Sequence, residues 1–100
     1  MVNIVYHNGV VTARLYGEID HHIAPQIRSQ IDAKCESCRP SRLILDFGRV
    51  SFMDSSGIGL IMGRYRMISL IGGTLEIAHI PPGLKKIFVL SGMEKLGVMK

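Results

Sequence analysis

The chain has 100 residues, 47% of them apolar, and a formal net charge of +4. That is enough for one hydrophobic core and not for two, and too apolar for intrinsic disorder. Its cations are scattered, Lys85-Lys86 being the only doublet, which argues against the charged stripe of a nucleic-acid binder.

No apolar run approaches the roughly 18 residues of a membrane span, and Met1-Val2-Asn3-Ile4 has none of the features of a signal peptide. The expectation is a cytoplasmic protein that contacts neither nucleic acid nor membrane. In chain order, Val2 to His7 and Val10 to Gly17 read as two strands. Asn8-Gly9 joins them as a two-residue hairpin turn, since both positions tolerate positive φ. Val11, Ala13 and Leu15 alternate with Thr12, Arg14 and Tyr16, the pattern of a half-buried strand. Gly17-Glu18-Ile19-Asp20-His21-His22 reads as a connection. A helix follows from Ile23 or Ala24 to about Cys35, carried by Ile23, Ile27 and Ile31, with Pro25 in its first turn and Pro40 blocking continuation.

Leu43 to Phe47 is short and almost wholly apolar, which predicts a central strand covered on both faces. A second helix is expected from Ser56 to Leu70, stopped by Gly72-Gly73. Thr74 to Ile80 reads as a strand. Pro81-Pro82-Gly83 opens a third helix with Leu84, Ile87, Phe88 and Leu90 inward, ended by Ser91-Gly92, and Val98-Met99 reads as a last strand. A hairpin followed by alternating helices and strands implies an α/β fold: a mixed β-sheet with helices packed on it, in one domain over residues 1–100.

The Cys35-x-x-Cys38 pair falls at the end of a helical pattern, not at the helix N-terminus that lowers a thiol pKa, and no second ligand pair accompanies it. It reads as two reduced thiols, with no metal site. His7, His21, His22 and His79 supply bases, but neither a nucleophile elbow nor a phosphate-binding glycine loop is present, so an enzyme is not expected.

Functional loops gather beyond the carboxyl ends of parallel strands. Here these are the connections 17–22 and 48–56. Asp54, Ser55 or Ser56 caps the second helix, and its N-terminus favours negative charge. A phosphate on Ser55 or Ser56 would join Asp54 in a strongly anionic surface and repel a partner that fitted the neutral form. On the helix, Ile58, Ile61, Met62, Tyr65 and Ile68 form a core stripe. Ser56, Gly59, Leu60, Gly63, Met67 and Ile71 form a second strip too apolar for an ordinary solvent face. Two interior glycines suit close approach of another backbone, or packing by the chain's own loops.

The run Ser51-Phe52-Met53-Asp54-Ser55-Ser56-Gly57-Ile58-Gly59, continuing through Gly63-Arg64-Tyr65, resembles the phosphorylation motif of the anti-sigma factor antagonists, which are STAS domains. Gly17 to His22, Gly72-Gly73 and Ser91-Gly92 are similar to further family signatures in the same order, closest to the sporulation branch, the stage II protein AA type. The resemblance implies that Ser55 is the phosphorylated residue. It implies a partner that is both anti-sigma factor and serine kinase, bound by the unphosphorylated form so that a sporulation sigma factor is freed. The phosphate comes from ATP on that kinase, and a serine phosphatase removes it. No cofactor of the chain's own is implied, and the free protein is expected to be monomeric. The residues so assigned to partner binding are Glu18, Asp20, His21, Asp54, Ser56, Gly57, Gly59, Leu60, Gly63 and Met67. The resemblance implies that family members of this type run further and end in another helix, so the expectation is that the sequence is truncated or that this helix is absent. The competing readings are a scaffold STAS domain of a stress-signalling complex and a nucleotide-binding module.

Overall fold

The structure, a computed structural model, describes residues 1–99. The elements in order are β1 (Val2–His7), β2 (Val10–Ile19), α1 (Ala24–Cys38), β3 (Arg42–Met53), α2 (Ser55–Leu70), β4 (Thr74–Ala78) and α3 (Lys85–Leu90), with 3-10 turns at Pro82–Leu84 and Met93–Leu96. The four strands form one sheet in the order β1-β2-β3-β4. β1 pairs antiparallel with β2 through the Asn8-Gly9 turn, where both residues have positive φ as expected. The pairs β2–β3 and β3–β4 are parallel, joined through α1 and α2. Val98-Met99 contributes only an isolated bridge, from Met99 to Ile77, in place of the expected strand.

The core lies on one face of the sheet. Val11, Ala13 and Leu15 of β2 and Leu43, Leu45 and Phe47 of β3 point into it, all at most 1% exposed. They meet Ile27, Ile31 and Cys35 of α1 and Ile61 and Ile68 of α2. Phe88 of α3 packs edge-on to Phe47, ring centroids 5.3 Å apart. The expectation that β3 is covered on both faces is corrected: Ile44 and Asp46 are only half-buried. The other face carries charge, with Arg14 and His79 paired to Asp46 and Arg42 paired to Glu76. A sheet with one wet face alternates, and the apolar Ile44 disguised that alternation.

Several boundaries also move. β2 runs on to Ile19 and β3 to Met53, so Glu18, Ile19 and the stretch from Gly48 to Met53 are strand and not connection. Two bulges in β3 explain the difference. Partners advance from Arg14↔Asp46 to Tyr16↔Arg49, and from Gly17↔Val50 to Glu18↔Phe52, so β3 spends an extra residue each time. Each extra residue breaks the period-two pattern by which a strand is read. Gly17, at the second irregularity, has φ +82°, which favours glycine. α1 extends to Cys38, and β4 stops at Ala78 because His79 turns left-handed. Leu90, expected inward, is 76% exposed, since α3 ends there after less than two turns.

Candidate functional site

β2 and β3 continue side by side past Ala78, where β4 ends, and carry two helix starts to the same end of the sheet. The first follows Asp20. Its Oδ1 accepts hydrogen bonds from the amides of His22 (2.9 Å) and Ile23 (3.1 Å), and its carbonyl accepts one from Ala24. Asp20 is thus spent on holding the entry to α1.

The second start follows Asp54, the residue that caps α2 out of the three candidates. Asp54 Oδ1 accepts from the Ser56 amide at 2.8 Å, and the Asp54 carbonyl accepts from Gly57. The Ser56 amide holds the Asp54 carboxyl below the usual carboxylate range, with a smaller contribution from His21. The two loops are joined at two points: the Asp54 amide donates to the Ile19 carbonyl, and His21 Nδ1 lies 3.8 Å from Asp54 Oδ2. Ser55 is therefore the first residue of α2 and exposed. Neither its hydroxyl nor its amide has a hydrogen-bond partner among the described residues.

The helix that follows sorts the strip assigned to partner binding. Gly57 is buried, and a Cβ there would strike the side chain of Met53. Leu60 is 4% exposed and part of the core. Both are turned inward: Gly57 lets the helix sit on β3, and Leu60 packs beneath it. Gly59 and Gly63 face outward, and a Cβ at either would meet nothing within 4 Å. Packing by the chain's own loops therefore does not explain these two glycines. Met67 is half-buried and lies further along α2, in a separate hollow with Cys35, Glu36, Arg39 and Ile71, away from Ser55. Glu18 is exposed on β2 opposite Phe52, which is itself 50% exposed.

Between α1 and α2 runs a cleft of about 390 Å³. Its floor is made of small or apolar groups, Ala24, Gly59, Leu60 and Gly63, and Ser56 and His21 stand where it approaches Ser55. Arg28, Arg64 and Arg66 line it as well, none of which the sequence reading had assigned to the site. Arg64 is the buried one, 6% exposed, with its Nε 2.8 Å from Asp32 Oδ1, close but not aligned as a hydrogen bond. Its Nη1 donates to the Leu60 carbonyl at 3.4 Å. The signal was legible in the spacing: Arg64 falls three residues after Ile61 and four before Ile68, on the inward face of α2.

Among the described residues, no three His, Cys, Asp or Glu side chains gather as they would to hold a metal ion. No helix is long and apolar enough to cross a membrane. Cys35 and Cys38 are both free, and burial followed by the charge of Asp32 pushes the Cys35 thiol up to about 11.

Comparison with known proteins places this arrangement. The family described as STAS domain matches residues 1–99. A Paenibacillus polymyxa protein named anti-sigma F factor antagonist is 34% identical over 95 residues, 95% of this chain and 81% of that one. The solved structure of the anti-sigma factor antagonist SpoIIAA in its unphosphorylated form superimposes with a TM-score of 0.88 at 34% identity, covering 100% of this chain and 86% of that one. The phosphorylated form of SpoIIAA, a Bacillus cell fate determinant, superimposes with a TM-score of 0.80 at 34% identity, covering 100% of this chain and 89% of that one.

Proposed function

This chain belongs to the STAS-domain family, among the anti-sigma factor antagonists, and we propose that it binds an anti-sigma factor while Ser55 is unmodified and lets it go when Ser55 is phosphorylated. The observation that carries this reading is the state of Ser55. It is exposed at the first position of a helix, with its hydroxyl and amide unengaged, while Asp54 has taken over capping. A kinase can reach the hydroxyl without breaking a bond that the fold needs. The product suits the place, because the dipole of a helix start and the Ser55 amide, which has no partner among the described residues, favour an anion.

The consequence for a partner is electrostatic. A phosphate adds about −1.5 to −2 charges at neutral pH. It lands beside the Asp54 carboxylate, on the surface formed by His21, Ser56, Gly59 and Gly63. A partner fitted to the neutral serine meets a dense negative charge and loses the space the phosphate occupies. We assign the phosphate to ATP carried by the anti-sigma factor acting as serine kinase, and its removal to a serine phosphatase. The sigma factor freed in each cycle is a sporulation factor.

The test is mass spectrometry of the protein after incubation with ATP and the anti-sigma kinase, with the site mapped by fragmentation. One phosphate on Ser55 is expected, none on Ser55→Ala, and a Ser55→Ala protein that stays bound to the partner. Ser55→Asp should bind more weakly than wild type and less weakly than serine phosphate blocks. Phosphorylation of Ser55→Ala at the wild-type rate would move the site to Ser56 and overturn the assignment.

A further inference from the structure

We propose that the cleft between α1 and α2 is an acid-receiving slot, in which Arg28 and Arg66 take a carboxylate-bearing segment of the anti-sigma partner. The inference rests on the antagonist reading and extends the docking surface from α2 onto α1.

Charge is the first argument. α2 contains no Asp or Glu, and of the three arginines at the cleft only Arg64 has an acidic partner, Asp32. Arg28 and Arg66 are exposed and enter no ion pair among the described residues. Arg28 is near enough to Arg64 for the two charges to repel. Three of the carboxylates at this end of the sheet and on α1 are engaged: Asp32 with Arg64, Asp54 with the Ser56 amide and His21, Asp20 with two amides of the α1 entry. Two cations without an ion pair among the described residues thus flank a hollow on a surface where surplus charge is most simply relieved by water or by an acidic partner.

Shape is the second. The floor offers Gly59 and Gly63 with open space where a Cβ would stand, so a segment can lie close to the α2 backbone between the arginines. Arg64, fixed by Asp32 and the Leu60 carbonyl, holds the two helices at this spacing. Guanidinium groups match a carboxylate with two parallel donors, which gives register as well as attraction. Continuity is the third. Ser56 lines the same cleft, so the docking surface that begins at Ser55 runs into it at the next residue.

The experiment compares wild type, Arg28→Glu, Arg66→Glu and the double variant for binding to the purified anti-sigma factor of the same genome, by calorimetry and stopped flow across salt concentrations. Each reversal is expected to weaken binding by about tenfold or more at low salt, mainly through the association rate, and to flatten its salt dependence. An acid-to-lysine exchange in the partner should rescue Arg28→Glu or Arg66→Glu in part. Far-ultraviolet circular dichroism controls for folding, since neither side chain is in the core. If wild type binds and the double variant binds equally well with the same salt slope, the slot is refuted and the antagonist reading stands. If wild type does not bind at all, the antagonist reading fails and the slot with it. Amide shifts confined to the cleft on adding millimolar ATP to the free protein, displaced by the partner, would make it a nucleotide site and equally overturn the proposal.

Discussion

Gly59 and Gly63 separate stability from function, and alanine at both tests the separation. Each sits inside α2 with nothing within 4 Å of an added Cβ, so the folded chain has room for the methyl group. Glycine in a helix interior costs roughly 1 kcal/mol relative to alanine, so the double variant should gain about 2 kcal/mol. At roughly 4–8 °C per kcal/mol in a domain of this size, the midpoint of thermal unfolding rises by about 10 °C. Binding should move the other way. If the partner backbone lies against these positions, each methyl overpacks the contact by about 1–3 kcal/mol, a loss between roughly fivefold and a hundredfold in affinity. Circular dichroism melts and calorimetric titration with the anti-sigma factor read the two effects. Gly57→Ala is the internal contrast, two residues earlier on the same helix. There the Cβ strikes Met53, which is buried, so the helix gain is offset and stability should fall. A lower melting point for Gly59→Ala would refute the open-space argument. An unchanged affinity in the double variant would refute the close approach.

Phe88→Ala should cost about 3–5 kcal/mol in urea unfolding, because it empties a fully buried ring site and removes the edge contact with Phe47 that holds α3 to the sheet. Cys35 holds its proton more tightly when folded, its pKa raised from 9.0 to about 11, so the stability it contributes is complete below pH 9.0 and lost as pH rises through about 11. The urea midpoint should fall across that window in wild type and not in Cys35→Ala, and Cys38 should be alkylated in the native state well before Cys35. Asp54 behaves oppositely: its folded pKa is depressed, so its contribution is present above the ordinary value of 3.8 and lost as pH falls through the folded one. Asp54→Asn should keep the cap and lose that acid dependence, whereas Asp54→Ala should lower stability at neutral pH, both measured by thermal unfolding.

The hairpin, the order of elements and the start of α2 were legible because each rests on local chemistry: Asn8-Gly9 at positive φ, Pro25 and Pro40 bracketing α1, three capping residues in a row before an apolar period. The extent of β3 was not legible. Gly48, Arg49, Ser51 and Phe52 interrupt alternation because the bulges insert residues that only the pairing with β2 reveals. The site was half legible for a related reason. Sequence periodicity separates the faces of one helix and set Gly59 and Gly63 apart from the core stripe, without deciding between a partner and the chain's own loops, but Gly57 and Leu60 lie near the boundary between faces. Their burial depends on how α2 is tilted against Met53 and the sheet. The arginines of the cleft belong to two helices 36 or 38 residues apart in sequence, counting from Arg28 to Arg64 and Arg66, and nothing local brings them together.

The bulges matter to the switch for more than register. They sit in the part of β3 that leads into Asp54, where β4 no longer flanks the strand, so the last residues before the helix are fixed by β2 alone. That leaves Phe52 half-exposed, three residues before Ser55, while Val50 and Met53 stay inside. The Asp54 amide is tied to Ile19 and its carboxylate to Ser56, so the backbone around Ser55 is held from both sides without using Ser55 itself. A serine held in that way can gain or lose a phosphate while the scaffold keeps its shape. On the proposed reading, the information passed to a partner is the charge and bulk at Ser55, read against the cleft arginines and the two outward glycines. A switch of that kind needs no second conformation of the antagonist, because differential binding of its two chemical states is sufficient.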